Sequence, residues 1–147
     1  MSEAPRSVLV VPVADAERLA GVCTLARVRA HVVPVAGAGC VLVPAGGGAV
    51  GPADAGRAAA KLSRLVQGAD VVVLTAGADA VSAQGWRGGV RQQDPRAGLL
   101  LSSWPDDVQR LLLGRLDPAG VAGALEGGTG SRWRAAWRMA RGRQQQG

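Results

Sequence analysis

The chain has no Phe, no Tyr, no Ile and no Asn, and Lys61 and His31 are the only residues of their kinds. A core without Phe, Tyr or Ile must be built from Val, Leu and Ala, with four Trp as the only large plates. Such side chains each bury less area than an aromatic would. The missing residue types, with Lys, share AT-rich codons, so a GC-rich genome is their simplest common cause. The arginine excess is therefore partly codon bias and is not read as selection for bidentate phosphate contacts. A single histidine beside a predicted strand is expected to be structural or solvated. Two cysteines 17 residues apart, Cys23 and Cys40, do not make metal-ligand spacing with it. There is no P-loop, no nucleophile elbow and no HExxH. No catalytic residue, metal or cofactor is expected, and the reading leans away from an enzyme without excluding one.

Other scarcities bound the compartment. The first six residues lack the basic start of a secretion signal, and the apolar run after them breaks at Pro12. The expected state is two buried free thiols in a reducing cytoplasm. Val32–Ala53 runs 22 residues without a charge, long enough for a membrane span, but it holds six glycines and three prolines. Those residues suit turns, so no membrane span is expected.

What is present is a globular composition in 147 residues, 48% of them hydrophobic and 19% charged, enough for one domain with a core. The net charge of +6 is unevenly spread. Residues 1–130 hold 12 basic and 11 acidic groups, whereas residues 131–147 hold five arginines and no acid. The division expected is a single α/β domain over 1–130 and a basic C-terminal helix and tail over 131–147.

Ser7–Val13 is a continuous apolar run and reads as a buried strand. Asp15 offers an N-cap, and Leu19, Val22, Cys23 and Ala26 share one helical face. His31–Ala36 and Cys40–Ala45 flank Gly37-Ala38-Gly39, a hairpin signal. Pro52 opens a second helix with Ala55, Ala59 and Leu62 on its apolar face, Gly68 ends it, and Ala69–Thr75 is a further strand. This β-α-β-β-α-β order resembles the split β-α-β order of ferredoxin-like domains. The expected architecture is α/β with a mixed sheet of four to five strands. Pro34 is expected on an edge strand, and Pro12 and Pro44 at strand exits. The strands do not alternate apolar with polar, so both faces of the sheet should be covered. C-terminal helices are the expected cover; an open-faced dimer with a second copy as cover is the other arrangement. Residues 77–97 read as a long loop, Gly98–Ser102 as a fifth strand, and Ser103 with Asp106 as a capping box. Asp117-Pro118 should start a short helix ending at Gly127-Gly128, and Ser131 should cap another over Arg132–Arg141.

Three stretches are candidates for function. In "SRWRAAWRMARGR", Trp133 and Trp137 would share a helical face, with Arg132, Arg134, Arg138 and Arg141 around it. Indoles at this spacing beside arginines can stack on unpaired bases while the arginines meet phosphates, or dock on an acidic protein surface. The plainer reading packs both indoles on the sheet and leaves the arginines solvated. In "QGWRGGVRQQDPR", Trp86 stands among Arg87, Arg91 and Arg96, as a binding surface or as the anchor of its loop. Gly46-x-Gly48-x-x-Gly51 follows a strand and opens a helix, as a phosphate cradle would, although a flexible connection before Pro52 explains it as well. The expected function is a non-enzymatic binding or adaptor protein presenting a basic Trp/Arg surface to nucleic acid or an acidic protein. The alternative is a nucleotide-binding protein using Gly46–Gly51.

Overall fold

A computed structural model describes residues 6–44 and 52–127 of the chain, with the side chains of residues 52 and 53 left out. Strand β1 (Arg6–Val11) is followed by helix α1 (Ala16–Ala26), strands β2 (Ala30–Val35) and β3 (Gly39–Pro44), helix α2 (Pro52–Leu65) and strand β4 (Val71–Ala76). Then come β5 (Val81–Arg87), β6 (Val90–Arg91), helices α3 (Ala97–Ser103) and α4 (Asp106–Leu112), a 3-10 turn at Pro118–Gly120, and β7 (Leu125–Gly127).

The seven strands form one sheet in the order β6-β5-β4-β1-β3-β2-β7, with every pairing antiparallel. The expected mixed sheet of four to five strands is thus corrected on both counts. In each βαβ unit another strand lies between the two that the helix connects, so no parallel neighbours arise: β3 separates β1 from β2, and β1 separates β3 from β4. The central order β4-β1-β3-β2 holds the anticipated elements, but β5 extends it along the whole of β4 and β7 along Ala30–Val32 of β2, so β4 is not an edge and β2 is one only from Val33 on. The outermost strands are two and three residues long.

Local chemistry explains the elements. The Asp15 carboxylate accepts the Arg18 backbone N–H at 3.1 Å and starts α1. Leu19, Val22, Cys23 and Ala26 on that helix are all buried. The helix ends on Arg27, whose φ is +60° and whose N–H returns to the carbonyls of Cys23 and Thr24. At the β2–β3 turn, Gly39 has φ +104°, and a Cβ there would strike the Val11 carbonyl. Pro12 and Pro44 lie just after β1 and at the end of β3. Pro34 sits within β2 opposite Cys40, beyond Val32, where pairing with β7 stops.

Both sheet faces are covered, which accounts for strands that do not alternate. On one face α1 and α2 pack over Leu9, Val11, Val32, Leu42, Val71 and Val73, with Trp86 half-buried beside them. On the other, α3, α4 and the segment through Ala124 pack over Val8, Val10, Val33, Val41, Val72 and Leu74, with Trp104 half-buried. A second copy is therefore not needed as cover. Among the described residues each face has one indole, Trp86 or Trp104, packed against its Val/Leu/Ala cluster.

Several sequence expectations are corrected on this second half. The loop expected over 77–97 contains the β5–β6 hairpin, because β5 pairs along the whole of β4. Gly98–Ser102 is helical; a three-leucine run fits either period, and tertiary packing decided it. No capping box forms: Ser103 Oγ donates to the Leu100 carbonyl, and Pro105 stands at the N-cap of α4. Asp117 caps only a single 3-10 turn, after which Leu125–Gly127 pairs with β2.

Candidate functional site

The sheet has two ends, and strand register assigns residues to each. At the first end β1 exits, β4 begins and β5 finishes, since Val10 faces Val72 and Val71 faces Trp86. The β2–β3 turn lies at this end too, because Val11 faces Cys40. At the second end Ala30 is flanked by Pro44 on one side and Gly127 on the other. The glycine pattern at Gly46, Gly48 and Gly51 and the basic segment with Arg132, Trp133, Arg134, Trp137, Arg138 and Arg141 lie outside the described residues. Each follows a strand that finishes at this second end.

The β5–β6 hairpin brings Trp86, Arg87 and Arg91 together at the first end. Gly88 and Gly89 form its tip with φ of +58° and +83°. The Gly89 N–H donates to Ser63 Oγ at 2.8 Å and ties the tip to α2. Successive strand residues point to opposite faces. Trp86 turns under α2, near Gly56, where an added Cβ would lie 3.5 Å from its ring. Its indole N–H points to Gln84 Oε1 at 3.4 Å, and the Arg91 guanidinium carbon stands 5.8 Å from a ring centroid of Trp86. Arg91 is also held by Asp94, with Nη2–Oδ1 at 2.6 Å. Arg87 turns to the other face and meets Asp70 through two bonds, Nε–Oδ1 at 2.7 Å and Nη2–Oδ2 at 3.0 Å. Both hairpin arginines of the expected basic surface thus carry acidic partners.

A cleft of about 560 Å³ opens at the same end, on the face covered by α3 and α4. Val10 and Val72 form its floor, Leu100 and Trp104 a wall, and Gln92, Gln93 and the Arg87–Asp70 pair its polar rim. Gly85 lies under the rim; a Cβ there would be 3.6 Å from Gln92 and Pro95. Sequence reading did not single out Trp104, Asp70, Gln92 or Gln93. The available signal was Trp104 itself, one of four large plates in the chain.

Chemistry elsewhere is sparse. Cys23 and Cys40 are free and buried in the core under α1. Burial pushes the Cys23 thiol up to about 12, with Cys40 adding to the rise. Burial likewise pushes Cys40 up to about 11, with Asp15 adding to the rise. His31 is half-buried on β2 opposite Glu126 of β7. Among the described residues no group of three or more His, Cys, Asp or Glu is placed to hold a metal. Nor, among them, is any helix long and apolar enough to cross a membrane. No family model, no curated protein and no solved structure matches the chain.

Proposed function

We propose that this chain is a binding or adaptor protein whose α/β body carries the Trp/Arg segment 131–147 to an anionic partner, nucleic acid or an acidic protein surface. One observation carries the reading. In the body, four arginines are matched by aspartates: Arg57 by Asp54, Arg87 by Asp70, Arg91 by Asp94 and Arg110 by Asp107. The five arginines after residue 130 have no acid within their own segment. Excess positive charge therefore concentrates in one stretch, where an anionic partner gains most by neutralising it. Trp133 and Trp137 supply flat surfaces for stacking or for an apolar contact. Trp86, Arg87 and Arg91 contribute less, because their own acids compensate both arginines.

The test replaces Arg132, Arg134, Arg138, Arg141 and Arg143 by Gln in the full chain. Binding to a single-stranded oligonucleotide and to polyglutamate is then measured over a range of salt. The wild-type chain should bind at least one of them with affinity falling as salt rises. If all five arginines meet phosphates, the slope on single strands is about −3.5. The substituted chain should lose that binding. Equal binding by both chains, or no salt-sensitive binding by the wild type, ends the proposal.

A second reading is kept because Pro44 and Gly127 flank the same residue, Ala30. The strands that precede Gly46–Gly51 and the arginines, β3 and β7, finish at the same end of the sheet with β2 between them. A nucleotide phosphate held by backbone N–H groups of Gly46–Gly51 would then have cations within reach. This reading expects millimolar nucleotide to raise the melting temperature, and Gly48→Val to remove the rise. An unchanged melting temperature rejects it.

A further inference from the structure

We infer that the cleft beside the β5–β6 hairpin binds a neutral, planar small molecule with an amide-like edge, one that offers a hydrogen-bond donor next to an acceptor. The inference stands apart from the anionic-partner reading, since the cleft lies at the opposite end of the sheet from Gly127.

The size is that of a ligand site: about 560 Å³ falls within the range of roughly 300–1,000 Å³ typical of such pockets. Its shape favours something flat. The floor is the β-sheet surface at Val10 and Val72, and Trp104 and Leu100 wall the same cleft. Aromatic faces prefer flat partners.

Charge complementarity decides the ligand's chemistry. The charged groups lining the cleft are Arg87 and Asp70, locked to each other by two bonds at 2.7 and 3.0 Å. An anion drawn to Arg87 would be set against the Asp70 carboxylate. A cation drawn to Asp70 would be set against the guanidinium. Neither gains without breaking a bidentate pair. A neutral ligand meets no such conflict. It can use the N–H groups of Arg87 that do not face Asp70, and the spare lone pairs of Asp70. Two rim amides extend the pattern: Gln92 Nε2 donates to the Val90 carbonyl, which leaves its oxygen free to accept, and Gln93 has no side-chain bond among the described residues. The cleft thus offers both donors and acceptors beside an apolar floor. The same charge argument disfavours residues 131–147 as the occupant. Five arginines gain nothing from a cleft of zero net charge, and their segment follows a strand that ends at the far side of the sheet.

Three probes of one shape separate the possibilities: benzamide, benzoate and benzamidine are neutral, anionic and cationic. Each is titrated into the ¹⁵N-labelled full chain while the four indole N–H resonances are followed. The Trp104 signal is assigned by its disappearance in Trp104→Leu. Benzamide should shift the Trp104 indole and the Gln92 and Gln93 side-chain amides saturably at millimolar concentration. The two charged probes should bind at least about fivefold more weakly, roughly the difference one hydrogen bond makes. Asp70→Asn, at an exposed residue, frees Arg87 and should reverse the order of benzamide and benzoate. Arg87→Gln should favour benzamidine in the same way. The inference is overturned if benzamide gives no saturable shift at Trp104, if all three probes bind alike, or if Asp70→Asn leaves the order unchanged.

Discussion

Replacing Leu112 by Ala tests whether the second face of the sheet is truly closed. Leu112 is fully buried on α4, among Val8, Val10, Val33, Val41 and Leu111. The substitution removes three carbons from the core. At about 0.8 kcal/mol per carbon the lost transfer energy is about 2.4 kcal/mol. Strand side chains below are fixed by cross-strand pairing and can relax little. A residual void of about 50 Å³ adds roughly 1.2 kcal/mol at about 24 cal/mol per Å³. The expected loss is therefore about 3.5 kcal/mol, a large part of the roughly 5–15 kcal/mol that holds a typical domain folded. Urea unfolding followed by tryptophan fluorescence measures it. With a slope of about 2 kcal/mol per M, the midpoint should fall by nearly 2 M with the slope unchanged. The control is Leu99→Ala on α3, where the side chain is 64% exposed; its loss should stay within about 0.5 kcal/mol. If the two variants unfold at the same midpoint, α4 is not seated on the sheet and the doubly covered architecture is wrong.

The raised thiols make a second prediction. At pH 8 both cysteines stay protonated in the folded chain, so iodoacetamide should label them slowly until denaturant is added; rapid labelling of the native chain would contradict their burial. Because the folded values lie above the ordinary value of 9.0, the folded chain holds protons that the unfolded chain releases. Their contribution is complete below about pH 9 and is lost as pH rises toward 11 and 12, so stability should fall across that window, and less steeply in Cys23→Ala. Glycines make a third: Gly39→Ala meets both a positive φ and the Val11 carbonyl, whereas Gly68→Ala meets the positive φ with nothing within 4 Å. Gly68→Ala should cost about 1–2 kcal/mol and Gly39→Ala clearly more by thermal unfolding; equal costs would remove the clash from the account.

The first half of the fold was legible because each element carried its own local signal. Asp15 marked the start of α1, the Leu19/Val22/Cys23/Ala26 face marked its period, and Gly37 and Gly39 marked the hairpin. Unbroken apolar strands announced a second cover, and α3 with α4 supplies it. The second half was legible only in part, because its elements are defined by their neighbours. Val81–Arg87 contains Ser, Gln and Gly, which have little strand preference, and it is a strand because β4 offers a full ladder. Leu125–Gly127 is too short to carry a pattern, and Gly127 fits since a Cβ there would press on Cys23 at 2.8 Å. The Trp86, Arg87 and Arg91 cluster was visible in sequence as charge, but its neutralisation was not. Asp70 lies 17 residues from Arg87, and only the β4–β5 register joins them. The cleft beside Trp104 is assembled from β1, β4, β5 and α3, and no single stretch of sequence contains it.

The shortness of the outer strands has a bearing on life at high concentration. Val-rich segments such as Val8–Val11 and Val71–Leu74 would seed fibrils if they lay open at a rim. Here they lie inside, and the described rims are a two-residue ribbon bearing Arg91 and a three-residue ribbon bearing Glu126. These ribbons cover only Trp86–Arg87 of β5 and Ala30–Val32 of β2; among the described residues Val81–Gln84 and Val33–Val35 pair with no further strand, the second stretch blunted by Pro34, which has no N–H to donate. Clumping through the Val-rich inner strands should therefore wait on unfolding, and the same contacts that seat α4 also guard those strands against deposition.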